Sequence, residues 1–140
     1  MSLKDIIKVA IAVVTDAENR VLITQRSLKS THGGFWEFPG GKLEAGEEPA
    51  AALQRELQEE VGLEPLNYHY LGEVCHEYPQ RFVSLLVFHV NHFNGQAMCR
   101  EAQLDLRWVA WDDLKAFQFP AANLEVIRLF QEKEQRALYN

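Results

Sequence analysis

Long apolar runs are missing from this chain, and so is a cysteine framework. No hydrophobic stretch approaches the ~20 residues that a membrane-spanning helix needs, so no association with a membrane is expected. Two cysteines occur, Cys75 and Cys99. Neither belongs to a CxxC pair, so a zinc site or redox motif is not expected, and both are read as reduced thiols. Five histidines lack HxxxH or HExxH spacing, and His69, His89 and His92 are read as strand or loop residues rather than ligands. A surplus of positive charge is absent too. Fourteen Lys and Arg face twenty Asp and Glu, for a net charge of -6. A general nucleic-acid binder would be basic, so stable nucleic-acid binding is not expected. A phosphate-bearing substrate stays compatible with this charge if a divalent cation stands between the two. The start, MSLKD, has no signal-peptide layout, which points to the cytoplasm.

What is present is ordinary for a globular protein: 47% hydrophobic and 24% charged residues. Residues 1–140 are read as one domain, without repeats, linkers or low-complexity tracts. KVAIAVVT, from Lys8 to Thr15, is a β-branched run typical of a buried strand. RVLITQR (20–26) alternates like a second strand, and the pair is expected to form a hairpin about the turn DAEN. A polar loop follows, then FWEFPGGKLEAGEEP, which is dense in Gly and Pro and leaves room for one short strand at 36–38. Ala50 to Val61 reads as a helix. Pro49 suits its first turn, Glu47 and Glu48 favour the positive end of its dipole, and Gly62 suits a left-handed stop. Ala50, Leu53, Leu57 and Val61 form its core-facing stripe.

Two further strands are expected at 68–75 and 82–90, then a polar loop over 93–103 and a last strand at 106–110. A short helix is expected to begin at Trp111, and a longer one to run over 121–137. Leu124, Ile127, Leu129 and Phe130 are its expected core contacts, and Phe82, Phe88 and Trp108 are expected in the core as well. Strands and helices mix without a regular βαβ alternation, which predicts an α/β sandwich with a mixed sheet.

The stretch RELQEEVG (55–62) stands out. Glu56, Glu59 and Glu60 crowd one helical face beside the apolar stripe, where the helix leaves the core. Unit charges 4 Å apart repel by about 1 kcal/mol in water and about 4 kcal/mol at an effective dielectric near 20. Arg55 can neutralise one of these acids. A hard divalent cation such as Mg²⁺ would satisfy the rest, because it favours carboxylate oxygens. Glu-rich helices are common on solvated surfaces, but the spacing upstream is specific. Gly41, five residues, Glu47, seven residues and Arg55-Glu56-Leu57-Gln58-Glu59-Glu60-Val61-Gly62-Leu63 occur by chance on the order of 10⁻⁷ per chain or less.

This pattern, Gx5Ex7REUxEExGU with U aliphatic, matches the Nudix box without a departure. The chain is therefore identified as resembling the Nudix hydrolases, which cleave nucleoside diphosphates linked to another group. The resemblance implies an α/β/α sandwich and an enzyme using Mg²⁺ or Mn²⁺. It implies that Gly40 lends a carbonyl to the metal and that Glu56, Glu59 and Glu60 bind it. Arg55 would orient Glu56, and Glu47 would pair with Arg55 or cap the helix. Glu56 or Glu101 would take a proton from the attacking water.

Outside the box the chain resembles the MutT branch, which removes oxidised guanine nucleotides such as 8-oxo-dGTP from the nucleotide pool, in support of DNA replication and repair. WEFPGGK (36–42) is the strong part of this likeness. ITQR (23–26) implies that Arg26 meets the nucleotide, although Gln25 replaces the more common Arg. EYPQRFVSL (77–85) implies a contact from Arg81, with Gln80 in place of an acid. CREAQ supplies Glu101 as an extra metal ligand. FPAAN (119–123) implies that Asn123 hydrogen-bonds the base, with the Phe38 backbone assisting. An amide donates and accepts at once, which suits the edge of guanine. Asn123 would also serve as a helix N-cap, and Trp36 is read as packing rather than base stacking. A monomer or homodimer acting on a nucleoside triphosphate is expected. The alternatives are another nucleotide, a dinucleoside polyphosphate, ADP-ribose or an RNA 5′ end as substrate. A non-catalytic nucleotide sensor is a further alternative, but such a module would be expected to lose box carboxylates.

Overall fold

The β-branched run near the start becomes the axis of the fold. The computed structural model describes residues 5–139, and side chains as far as residue 134. Strand β1 (Asp5–Val14) alternates between two buried faces. Ala10, Ala12 and Val14 join one core, and Ile11 and Val13 join the other. A strand covered on both sides reads as a continuous apolar run, as this one does.

Both edges of β1 are paired. Strand β6 (Arg81–Asn94) lies parallel to it, from Asp5 opposite Arg81 to Val14 opposite Val90. Strand β4 (Gly40–Lys42) lies antiparallel on the other edge. Strand β5 (Glu64–Tyr78) pairs antiparallel with β6, so the sheet runs β4-β1-β6-β5 and is mixed. A second sheet runs β3-β2-β7, from Trp36–Glu37, Arg20–Gln25 and Asp105–Ala110 respectively.

Helix α1 (Pro49–Val61) covers one face. Its Ala52, Leu53, Leu57 and Val61 pack with Ala10, Ala12, Val14 and Leu22. The small side chains of β1 on this side let the helix come close. The α1 N-cap makes no side-chain hydrogen bond, which forgoes about 1 kcal/mol. Fully buried Leu53 and Leu57 outweigh that, at about 1.5–3 kcal/mol each. Gly62 ends the helix with φ of 75°. Helix α2 (Ala121–Tyr139) covers the opposite face, where Ala122, Val126 and Phe130 meet Ile11, Val13, Leu85 and Val87. The result is the expected α/β/α sandwich.

Several expectations need correction. The first two strands form no hairpin: apart from one bridge between Thr15 and Val21, β1 and β2 belong to different sheets. The reason is that β6 and β4 already occupy both edges of β1. Gly40–Lys42, expected as loop, is a strand because β1 offers it an edge. Strands β5 and β6 extend well beyond 68–75 and 82–90, and only Pro79 and Gln80 separate them. Leu124 is 49% exposed rather than core. The buried stripe of α2 runs through Ala122, Val126 and Phe130, at intervals of four, and Leu124 lies off it. Phe82 is only partly buried, whereas Phe88 is in the core and Trp108 packs against it.

Candidate active site

Arg55 organises the acids at the end of α1. Its Nε and one terminal nitrogen donate to the two oxygens of Glu47, at 2.9 and 2.8 Å. The other terminal nitrogen donates to Glu56 at 2.7 Å and to Glu59 at 3.3 Å. A last bond reaches the Lys42 carbonyl at 3.0 Å. A guanidinium has five N–H groups in a rigid fork, and here all are directed. These bonds push the Arg55 pKa up further. Arg55 and the Glu44 backbone N–H hold Glu47 down to about 2. Glu47 therefore pairs with Arg55; it does not cap the helix. Arg55 is bound to protein on every side, which makes it a positioning residue.

Glu60 is 8% exposed, and its carboxylate accepts from the Gly40 N–H at 2.9 Å. Burial, together with Glu37, Glu56 and Glu101 nearby, pushes its pKa up to about 8, although the Gly40 bond works the other way. Burial also raises Glu56, with Arg55 opposing. Gly40 is tightly constrained: its φ is 155°, and a Cβ there would sit 2.1 Å from the Ala10 carbonyl oxygen. At Gly41 a Cβ would fall 2.2 Å from the Glu56 carboxylate. The paired glycines leave the space that the acids occupy.

Glu101 arrives from a distant loop. Oxygens of Glu56, Glu59 and Glu101 lie within 4.8 Å of one another. Glu56 and Glu101, together with Arg26, Ser27, Ser30, Glu37, Glu60 and Gln103, border a cleft of about 230 Å³. A donor set of carboxylate oxygens, with more negative charge than one guanidinium can balance, fits a hard divalent cation.

A larger cavity of about 570 Å³ adjoins the cleft, and Arg26, Glu37 and Gly40 border both. Its floor is Ile7, Val9 and Ile11 of β1 beside Val83 and Leu85 of β6. Asn123, 9% exposed, stands in its wall. The Phe38 N–H donates to Asn123 Oδ1 at 3.3 Å, so the NH₂ half of the amide is the half left for a ligand. Asn123 is the third residue of α2 and caps nothing; its own N–H bonds the Pro120 carbonyl. The Phe38 ring stacks on Phe119 at 5.6 Å. Trp36 packs edge-on against Phe117.

Arg26 sits at the junction of cleft and cavity. It donates to Glu37 at 2.6 Å and to the Thr31 carbonyl at 2.7 Å. Arg81 lines only the larger cavity and reaches the Thr31 hydroxyl at 3.4 Å. Sequence reasoning did not single out Glu37, whose pKa burial raises, nor His32, Tyr78 or the apolar floor. The floor had a signal: Ile7, Val9 and Ile11 alternate, as do Val83 and Leu85. Glu37 had none, since its partner Arg26 is set by the pairing of β2 with β3.

Crowded oxygen donors beside a phosphate-sized cleft and a base-sized cavity define a metal-dependent nucleotide hydrolase. The chain belongs to the Nudix family, whose NUDIX domain description matches residues 6–130. It is 39% identical over 130 residues to the 8-oxo-dGTP diphosphatase of Haemophilus influenzae, across 92% of this chain and 95% of that one. It is 34% identical over 116 residues to the CTP pyrophosphohydrolase of Escherichia coli strain K12, across 83% and 84% of the two chains. A solved MutT structure, from work on the Aliivibrio salmonicida and Vibrio cholerae proteins, superposes with a TM-score of 0.76 at 34% identity, covering 89% of this chain and 95% of that one.

Proposed function

We propose that this enzyme hydrolyses 8-oxo-dGTP and related purine nucleoside triphosphates to the monophosphate and pyrophosphate, in the cytoplasm, with Mg²⁺ or Mn²⁺. The observation that carries the proposal is Asn123: a buried amide, pinned through its oxygen, with its NH₂ beside a cavity of apolar floor large enough for a base. A buried amide selects bases that complete its hydrogen bonds and disfavours those that leave it unpaired.

Glu56, Glu59, Glu60 and Glu101 would hold the cation, with Gly40 beside them. When bound, it lowers the pKa of water and offsets charge on the phosphoryl oxygens. The remaining chemistry belongs to the chain. Water adds across one phosphoric anhydride bond, and a carboxylate oxygen of Glu56 or Glu101 accepts its proton. Burial lifts the basicity of Glu56 while Arg55 fixes its orientation. Arg26 stands where the phosphates pass from cavity to cleft, and Arg81 meets the nucleotide at the rim.

The likeness to a CTP pyrophosphohydrolase keeps one other substrate in view. The test is Mg²⁺-dependent turnover of 8-oxo-dGTP, dGTP and CTP side by side, with products identified. A clear kcat/KM advantage for the oxidised nucleotide, with pyrophosphate released, supports the proposal. Equal rates, or a preference for CTP, would sink it.

A further inference from the structure

The loop that carries Glu101 is built around the open end of α1. The last carbonyls of a helix have no partner within it. Here Val61 O accepts from Met98 N–H at 3.0 Å, and Glu60 O from Arg100 N–H at 3.1 Å. The Arg100 guanidinium adds a bond to Gln58 O at 3.1 Å. Gln103 closes the arrangement. Its Nε2 donates to Glu60 O at 2.8 Å, and its Oε1 accepts from the Glu101 backbone N–H at 2.8 Å. One amide thus ties the residue that bears the distant acid to the residue that bears the buried one. Between them Ala102 takes a left-handed φ of 53°, a conformation that L residues seldom adopt unless their surroundings impose it. The turn brings Gln103 back over Glu101. Beyond it, Leu104 N–H bonds Gln25 O of β2 at 3.0 Å. The Glu101 side chain itself is exposed, and no hydrogen bond among the described residues holds its carboxylate.

We propose that Gln103 is a positioning residue: its amide sets the place of Glu101 relative to Glu60 and so completes the carboxylate set. The inference rests on Glu101 belonging to that set. Without the amide, the loop keeps its other ties to α1, but Glu101 is no longer held over the cleft. Residues that orient metal ligands typically change affinity or activity by about 10–100-fold when removed.

The test is a double-mutant cycle on the full chain with Gln103→Met, Glu101→Gln and both together. Mn²⁺ affinity is read by electron paramagnetic resonance without substrate, kcat and KM are read with nucleotide, and melting temperature serves as the check on folding. Gln103→Met is expected to weaken Mn²⁺ binding and lower kcat by about 10-fold or more, with KM little changed. The double variant should be no worse than Glu101→Gln alone, because Gln103 acts through Glu101. Losses that multiply would overturn the inference, as would an unaffected Gln103→Met beside an impaired Glu101→Gln. If Glu101→Gln alone changes nothing, the role of Glu101 fails first and that of Gln103 with it. Should Gln103→Met not fold, Gln103→Asn carries the same cycle, since its shorter amide cannot span both partners.

Discussion

The acid-lined cleft and the base-sized cavity share Arg26, Glu37 and Gly40 and differ in most other respects. Glu56 and Glu60 belong to α1, whose helix packs on Ala10, Ala12 and Val14 of β1. The cavity floor is made of Ile7, Val9 and Ile11, on the other face of the same strand. In the cleft, charge is held by charge: four bonds from one guanidinium fix three carboxylates. In the cavity, a single amide is held by a single backbone N–H over an apolar floor. The first arrangement fixes geometry for a reaction. The second sets a buried amide among polar walls over an apolar floor, and polar groups that must be matched are how a site tells one base from another.

Substitutions should therefore separate the two. The largest effect is expected from Glu56→Gln: kcat should fall by about 10²–10⁴-fold with KM for the nucleotide little changed. A large rise in KM instead would blur the division. Next is Arg55→Lys, which keeps the charge but not the fork. A drop of about 10–100-fold in kcat and in Mn²⁺ affinity is expected, with selectivity between nucleotides preserved. Asn123→Ala should act in the opposite sense. The ratio of kcat/KM for 8-oxo-dGTP over CTP should shrink by about 10-fold, the value of one buried hydrogen bond, while Mn²⁺ affinity stays. If Asn123→Ala lowers turnover of every nucleotide equally, the cavity does not select.

The smallest effect comes from His89, outside both regions. It bonds the Thr15 hydroxyl at 2.8 Å and meets the Phe130 ring edge-on at 4.9 Å. Burial, with His69 adding to it, holds its pKa down to about 4 from 6.5. Between those values the unfolded chain takes up a proton that the folded chain refuses. The contribution of His89 to stability should thus be full above about pH 6.5 and decline as pH falls toward 4. His89→Gln should flatten that part of the melting profile and leave Arg55, Asn123 and their chemistry untouched. A profile that is unchanged would show that other groups set the acid limit.

The two regions also differed in how much of them the sequence made visible. Glu56, Glu59 and Glu60 lie within one helix, so their spacing alone marks them, and the helix is bounded by Pro49 and Gly62. Strands β2 and β7 and helix α2 were placed closely by pattern. The cavity was not visible as a whole, since β1, β6, the residues after Phe38 and the start of α2 build it from across the chain. Arg26, Arg81 and Asn123 were singled out by likeness, but their neighbours Glu37 and Tyr78 were not. Strand β4 escaped notice because Gly-Gly-Lys has no intrinsic preference for extended structure; the free edge of β1 makes it a strand. Gln103 was likewise unremarkable until the loop was seen to close on α1.

The parallel pairing of β1 with β6 has a consequence in time. Strand β1 is made before its partner β6, and Asp5 finds Arg81 and Val14 finds Val90 only once the long stretch between them exists. Parallel partners so far apart close a long loop before any contact rewards it. Refolding should accordingly take about milliseconds to seconds, in the manner of non-local topologies. Until it finishes, a newly made β1 carries its unpaired apolar edge exposed, and that interval is when the protein is most open to aggregation.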